Sequence, residues 1–268
     1  MSYTAYAREY FFPSGCGVCG EDLVSPQDAW YGLCADCRSY LSGAFTAGKH
    51  CEACGRPLIS ERGTCIPCRQ NLTGANALSG DHRIKLKAIF PYSGKFRAVL
   101  ASYKFAKYTA LGNFFARVLV SAINGLIGDI DSRAVSKAAW VPVPPRPGKK
   151  KTQGWDQVEY LARLLEKEHK RLSGKEGSLE PLASDHSGSL SLPVCRCLKR
   201  LSTRSQKELN RQDRGKNLKG RILCVKPPPQ TVILFDDVIT TGSTLKACAE
   251  VLLEKGAARV YGLCLFYD

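Results

Sequence analysis

Residues Val232–Leu245 read VILFDDVITTGSTL, and no other segment of the chain says as much about its fold. The four apolar residues Val232–Phe235 predict a buried strand, so Asp236 and Asp237 are expected to follow at its carboxyl end. A short loop rich in Thr, Gly and Ser comes next and leads into helical periodicity over Thr244–Lys255. Strand, acids, polar loop and helix in this order are typical of the ligand-binding edge of an open α/β sheet.

The loop between the two acids and the helix is suited to a phosphate group. The first N–H groups of a helix carry a partial positive charge that favours such a ligand, and a glycine lets the backbone approach it closely. The two carboxylates can accept hydrogen bonds from the vicinal hydroxyls of a ribose. A ribose 5-phosphate site is therefore predicted at Asp236, Asp237, Thr240, Thr241, Gly242, Ser243 and Thr244. The alternative is a surface helix with Ser243 or Thr244 as its N-cap, and the preceding strand and paired acids argue against it.

Strands and helices alternate on both sides of this stretch. Further strands are predicted at Leu86–Tyr92, Trp140–Val143, Ile222–Val225 and Val260–Phe266, and further helices at Phe96–Phe105, Leu111–Leu126 and Trp155–His169. This alternation predicts an α/β fold with a parallel sheet flanked by helices, over residues 76–268. The Ser/Gly/Pro-rich residues 172–194 are predicted to be a mobile surface loop.

The first 75 residues contain eight of the 13 cysteines, all in Cys-x-x-Cys pairs. Two such pairs supply the four thiolates of a tetrahedral zinc site, and Gly20 after the first pair suits a left-handed turn there. A small double zinc ribbon with two structural zinc ions is predicted over residues 1–75, with the ligands Cys16, Cys19, Cys34, Cys37, Cys51, Cys54, Cys65 and Cys68. Sequential pairing is the economical assignment, and an interleaved one stays open. Redox-active dithiols and iron–sulfur ligation are alternatives that fit four closely spaced Cys-x-x-Cys pairs less well.

Charge is distributed unevenly in this chain, whose formal net charge is +15. Residues 1–75 carry six basic and seven acidic side chains, so all of the excess positive charge lies in the rest. Residues 196–221 alone hold ten Lys and Arg against two acids. Such density predicts binding of single-stranded DNA, through Arg200, Arg204, Lys207 and Arg211. The alternatives are that these cations serve a small phosphorylated ligand or simply form a basic surface.

Composition limits the class of protein. With 44% hydrophobic and 24% charged residues, the 268-residue chain is neither wholly disordered nor fibrous. Its longest apolar stretch, near Asn113–Gly128, is interrupted by Arg117, so no membrane insertion is expected. The first residues lack a basic segment followed by a clean apolar run, so no secretory signal is expected either. A cytoplasmic protein without a disulfide framework is therefore expected.

Several motifs together carry a resemblance to a known family. The phosphoribosyl-pyrophosphate signature of type I phosphoribosyltransferases is similar to residues 235–244, FDDVITTGST. The V-P-V-P…R-G-F-N-Q segment of the ComF family is similar to residues 141–157, VPVPPRPGKKKTQGWDQ. That family's L-x-R…Q…L…R…N-V-x-G stretch is similar to residues 198–220, LKRLSTRSQKELNRQDRGKNLKG. With the double zinc ribbon in front, the resemblance to the ComF family covers almost the whole chain.

The resemblance implies a function as well as a fold. ComF-family proteins are bacterial cytosolic factors linked to natural competence, with a zinc domain preceding a type I phosphoribosyltransferase-like fold. By resemblance, the two acids hold the ribose hydroxyls of phosphoribosyl pyrophosphate, directly or through Mg²⁺, and residues 240–244 wrap its 5′-phosphate. A basic loop meets the pyrophosphate: Arg146, Lys149, Lys150 and Lys151. The partners implied are this ligand, single-stranded DNA, and a competence helicase or another competence protein.

Two departures from the family pattern bear on catalysis. Residues 154–157 read G-W-D-Q where the family has G-F-N-Q, which is a mild change. Thr240 stands where nucleobase-using relatives often place a carboxylate as general base, and a threonine cannot do that job. The alternatives to a binding protein are therefore an active phosphoribosyltransferase with an unidentified acceptor, or a non-enzymatic adaptor whose zinc ribbon docks another protein.

Overall fold

The computed structural model describes residues 15–43, 51, 56, 58, 61–69, 84–127, 137–173, 191–202, 220–240 and 242–268. Five residues of the predicted sites lie outside these ranges: Cys54, Arg204, Lys207, Arg211 and Thr241. The helices are α1 (Pro26–Tyr31), α2 (Ala35–Gly43), α3 (Ile66–Arg69), α4 (Gly94–Lys104), α5 (Leu111–Ile127), α6 (Lys149–Gln153), α7 (Gln157–Leu172) and α8 (Ser243–Glu254). The strands are β1 (Ile84–Pro91), β2 (Ala138–Pro142), β3 (Leu198–Arg200), β4 (Ile222–Cys224), β5 (Thr231–Ile239) and β6 (Arg259–Tyr267).

Four of these strands form one sheet in the order β1–β6–β5–β2. Strand β5 is parallel to both of its neighbours, β2 and β6. Alternate residues of a strand point to opposite faces, and β5 is buried on both, as its run of apolar residues predicts. On one face Leu234 belongs to a core cluster with Leu245 and Leu252 of α8. On the other, Phe235 meets the ring of Trp140 edge to face, with centroids 5.7 Å apart.

The expected fold class is confirmed, because a parallel sheet flanked by helices follows a Cys-rich N-terminal region. The two strands β3 and β4 form a separate antiparallel ladder. Within the described residues, no helix is both long and apolar enough to cross a membrane.

Strand β5 is longer than predicted, since it continues four residues beyond Phe235 to Ile239. Its neighbour β6 runs to Tyr267, which pairs with Ile239, so the backbone of β5 keeps partners on that side. Strand β2 ends at Pro142, opposite Phe235. The two acids therefore lie inside β5 rather than after it, in a segment that β2 does not reach.

The chain divides into two compact units. The first unit is Met1–Thr46, Phe90–Gly128 and Arg163–Ser191, and the second unit is Ala47–Ile89, Asp129–Ala162 and Leu192–Asp268. In the first unit, Tyr108 Oη donates to the carbonyl of Gly15 (3.0 Å) and Asn113 Nδ2 to that of Trp30 (2.8 Å). The second unit contains the four-stranded sheet, apart from the last residues of β1. The domain boundary expected at residue 75 stays a prediction.

The expected mobile loop, 172–194, differs from the structure at both ends. Leu172 is the last residue of α7. Near the other end, the Trp140 N–H donates to the carbonyl of Pro193 (2.8 Å), and Val194 forms a parallel bridge with Trp140. Residues 174–190 lie outside the described residues.

Candidate functional site

The two adjacent acids of β5 point to opposite faces of the sheet. Asp236 lines a pocket with residues of α8, whereas Asp237 accepts a hydrogen bond from Gln157, the first residue of α7. Strand geometry explains this, because consecutive side chains on an extended backbone alternate in direction. Asp237 is 6% exposed and does not line the pocket of Asp236. The sequence predicts that both acids hold a ribose, and the structure brings only Asp236 to the pocket.

The pocket lies between the end of β5 and the beginning of α8. It has a volume of about 230 Å³, part of it open to solvent, and its lining residues are Asp236, Val238, Ile239, Thr240, Gly242, Ser243, Thr244 and Leu245. Five of the predicted ribose 5-phosphate residues are therefore together.

The N-cap of α8 is Gly242, with a φ of +71° that favours glycine. Neither Ser243 nor Thr244 is the N-cap, so the capped surface helix considered as an alternative is not formed. A glycine cap has no side chain to accept a hydrogen bond from the first N–H groups of the helix. This start of α8 is chemically suited to an anion such as a phosphate.

Arg200 interacts electrostatically with the pocket residue Asp236 and with two further arginines of the second unit, Arg146 and Arg221. Burial lowers the pKa of the Arg200 guanidinium, the positive charge of Arg146 lowers it further, and the negative charge of Asp236 opposes this shift. Arg221 adds a third positive charge near Arg200 because β3 pairs with β4, and the Leu201 N–H donates to the carbonyl of Arg221 (2.8 Å). A half-buried guanidinium that interacts with two like charges favours an anionic ligand.

This arrangement places Arg200 near Asp236, although its sequence neighbours suggested a nucleic-acid contact. Arg221 is not among the predicted site residues, because it is 21 positions away from Arg200 and only the pairing of β3 with β4 brings the two together. The short apolar stretches on either side of the basic segment, which form β3 and β4, are a weak sequence signal for this pairing.

The predicted basic loop is divided by the fold. Its lysines lie on the short helix α6, and Lys149 Nζ donates to Asp156 Oδ2 (2.6 Å) and to Gln157 Oε1. Arg146, Lys150 and Lys151 are exposed. Three of the four predicted pyrophosphate residues are thus turned to solvent, and the fourth is held by the protein itself.

The first four cysteines form one cluster. The sulfur atoms of Cys16, Cys19, Cys34 and Cys37 all lie within 4.8 Å of one another. Cys19 Sγ and Cys34 Sγ are 3.7 Å apart, and a tetrahedral site with Zn–S bonds of about 2.3 Å separates its sulfurs by about 3.8 Å. Gly20 has the left-handed φ expected of it, +81°. The donor set and its spacing fit structural zinc.

Electrostatics at Cys16 favour a metal-binding thiolate. Burial raises the pKa of the Cys16 thiol, but hydrogen bonds from the backbone N–H groups of Cys19, Cys34 and Val18 outweigh it and lower that pKa to about 7. Zinc binds the thiolate rather than the thiol. The backbone around Cys16 therefore supplies donors to a thiolate at this position, whereas burial raises the pKa of the Cys37 thiol in the same cluster.

The last two cysteine pairs supply a second cluster. Cys51, Cys65 and Cys68 are buried with their sulfurs within 4.8 Å of one another, and Cys54 lies outside the described residues. The two clusters follow the order of the sequence, as sequential pairing requires. Both use the same turn, since the N–H of Cys16 donates to the carbonyl of Glu21 (2.6 Å) and that of Cys51 to the carbonyl of Arg56 (2.7 Å).

Arg56 connects the second cluster to the end of the sheet. Its Nη2 donates to the carbonyl of Asp268 (2.6 Å), and its guanidinium lies 5.1 Å from the ring centroid of Tyr267. The Asp268 N–H in turn donates to the carbonyl of Ile239 (3.1 Å), a residue of the pocket wall. The pocket and the second metal cluster are thus joined by a continuous set of contacts within the second unit.

Comparison with known proteins gives two likenesses. Residues 7–71 match the family described as Double zinc ribbon domain. The chain is 24% identical over 242 residues to Competence protein ComFC of Bacillus subtilis (strain 168). The aligned region covers 88% of this chain and 82% of that relative.

Proposed function

The chain belongs to the ComF family, and on that premise we propose that it binds phosphoribosyl pyrophosphate with Mg²⁺ in the pocket of Asp236. The observation that carries this proposal is that one pocket combines the Asp236 carboxylate with a helix N-terminus, while Arg200 interacts electrostatically with that carboxylate and with two further arginines. A ribose carrying phosphate groups at two positions requires these three kinds of partner.

Each part of the ligand has a partner in this proposal. The start of α8, with Thr240, Ser243 and Thr244, binds the 5′-phosphate. Asp236 accepts hydrogen bonds from the ribose hydroxyls, or contacts Mg²⁺, which prefers carboxylate and phosphate oxygens. Arg146, Arg200 and Arg221 bind the pyrophosphate, because guanidinium groups match phosphate geometry.

Binding is better supported than catalysis. In a transferase reaction the arginines would stabilise the negative charge that develops on the leaving pyrophosphate. Thr240 is exposed at the pocket and cannot act as a general base, and no other described residue of the pocket identifies an acceptor. An active phosphoribosyltransferase therefore stays the second hypothesis, and a non-enzymatic adaptor the third.

The biological role follows from the relative. Because ComFC of Bacillus subtilis is called a competence protein, we extend that role to this chain and place it in DNA uptake during natural transformation. The zinc ribbon is then a docking surface for a competence helicase or another competence protein.

Titration calorimetry with phosphoribosyl pyrophosphate tests the ligand. Wild-type protein should bind it more tightly with Mg²⁺ than with EDTA, and Asp236→Asn should weaken binding about tenfold to a hundredfold, since a hydrogen bond to a charged group contributes about 1.5–3 kcal/mol. Asp22→Asn, which changes an exposed carboxylate of the first unit, is the matched control. Equal affinities in wild type and Asp236→Asn would refute the site.

A second candidate function is binding of single-stranded DNA. Residues 196–221 are dense in positive charge, but the structure commits three of their cations elsewhere. Arg196 Nε pairs with Glu159 Oε1 (2.8 Å), Arg200 interacts electrostatically with Asp236, and Arg221 interacts with Arg200. The nucleic-acid proposal therefore depends mainly on the basic residues between 203 and 219, which lie outside the described residues.

Binding of single-stranded DNA should be sensitive to salt. If about four phosphates are contacted, log K falls with log salt concentration with a slope of roughly −3. Reversing the charges of Arg204, Lys207 and Arg211 together should weaken binding and flatten this slope, as measured by fluorescence anisotropy at several salt concentrations. Arg200→Glu is the comparison, because it should impair phosphoribosyl pyrophosphate binding more than DNA binding. An unchanged slope in the triple variant would end the nucleic-acid interpretation of this segment.

A further inference from the structure

A buried polar network connects helix α6 to strand β5. Lys149 Nζ donates to Asp156 Oδ2 (2.6 Å) and to Gln157 Oε1, and Gln157 Nε2 donates to Asp237 Oδ2. Asp156, Gln157 and Asp237 are each at most 6% exposed. Asp156 also accepts the N–H of Glu159 at the start of α7 (2.9 Å), so the network is fixed to a helix.

Lys149 determines the direction of these hydrogen bonds. An ammonium group only donates, so the amide oxygen of Gln157 must face Lys149. The amide nitrogen of Gln157 is then turned to Asp237, where a carboxylate can only accept. Without Lys149 the amide could rotate, and Asp237 would lose a donor in a position where water does not replace it easily.

This network includes Asp237, which lies in the part of β5 that β2 does not reach. Strand β2 ends opposite Phe235, so beyond that residue β5 is paired in the sheet with β6 alone. The contact between Gln157 and Asp237 adds a side-chain hydrogen bond to this part of β5. Because Asp236 and Asp237 are adjacent and point to opposite faces, fixing Asp237 also fixes the direction of Asp236.

We propose that Lys149 and Gln157 are positioning residues that hold Asp237 and thereby orient Asp236 toward the pocket. Lys149 is then not a ligand of the pyrophosphate, although it belongs to the predicted basic loop. The effect on ligand affinity rests on the proposed function, whereas the network itself does not.

The test compares the affinity for phosphoribosyl pyrophosphate with that for inorganic pyrophosphate in EDTA, where Asp236 cannot act through Mg²⁺. Lys149→Met should weaken binding of the first about 10- to 100-fold, the range seen when a residue that orients a ligating group is removed, and leave binding of the second unchanged. Arg200→Met, which removes a proposed pyrophosphate ligand, should weaken both. Lys167→Met, on an exposed part of α7, should weaken neither. Equal losses for the two ligands in Lys149→Met would overturn the proposal.

Two further measurements keep the result interpretable. Lys149→Met leaves Asp156 without its cation, so Lys149→Met/Asp156→Asn removes both charges and should show the same selective loss if the protein folds.

The second measurement is urea unfolding of Gln157→Leu, Asp237→Asn and the double variant. The double variant should shift the midpoint of unfolding by less than the sum of the two single shifts. Additive shifts would overturn the network whether or not the ligand binds. Non-additive shifts in a wild-type protein that binds no phosphoribosyl pyrophosphate would support the network and refute the proposed function.

Discussion

Replacement of Cys16 by serine should release one of two zinc ions and unfold the segment around it. Each structural zinc contributes on the order of 10 kcal/mol to the folding of such a small domain. Residues 15–43 bury few large apolar side chains of their own, among them Tyr31, Leu33 and Leu41, so little else replaces the metal. Native mass spectrometry should give about two zinc ions in wild type and about one in Cys16→Ser.

Cys224→Ser is the matched control for the zinc prediction. Cys224 belongs to neither metal cluster, and its thiol donates to the carbonyl of Lys226 (3.0 Å), a hydrogen bond that a hydroxyl can also make. This variant should keep both zinc ions. Two zinc ions in Cys16→Ser, or an iron–sulfur absorption band in wild type, would contradict the assignment.

Trp140→Ala should destabilise the second unit by about 3–5 kcal/mol, the usual cost of removing a large aromatic side chain from a core. Trp140 is 1% exposed, pairs with Ile233 in the middle of the sheet and contacts the ring of Phe235. Whole domains are stable by only about 5–15 kcal/mol, so this loss is a large fraction of the total. Urea denaturation followed by circular dichroism measures it.

Trp30→Ala makes the same chemical change at an exposed position. Trp30 is 41% exposed, and the contact it makes with Asn113 uses its backbone carbonyl, which alanine retains. The unfolding free energy should change by no more than about 0.5 kcal/mol. Similar effects of the two substitutions would mean that Trp140 does not lie in the core described here.

Local patterns in the sequence predicted those features that local physics controls. The spacing of the cysteines predicted two metal clusters because short turns bring such pairs together, and apolar runs predicted β2, β5 and β6 to within a few residues. The length of β5 was underestimated, because the polar residues Asp236 and Asp237 look like the end of a strand. Their continuation in the strand depends on β6, which lies some 25 residues further along the chain.

The different roles of neighbouring residues in the candidate site could not be predicted from local sequence. A pair of adjacent acids suggests one ligand-binding unit. Because side chains alternate along an extended backbone, however, Asp236 and Asp237 point to opposite faces of the sheet. Similarly, the four cations Arg146, Lys149, Lys150 and Lys151 read as one charged loop. The partners of Lys149 become visible only when α6 and the beginning of α7 are folded against each other.

The one-sided end of β5 has a consequence for its local dynamics. From Thr231 to Phe235 the strand is paired on both sides, so its amide protons should exchange with solvent only when the whole sheet opens. From Asp236 to Ile239 opening needs the loss of one neighbour alone, and there exchange should be orders of magnitude faster. One strand thus combines a rigid part, Thr231–Phe235, with a part that opens locally, Asp236–Ile239. Ligand binding in the pocket should therefore slow amide exchange in Asp236–Ile239 and leave exchange in Thr231–Phe235 unchanged.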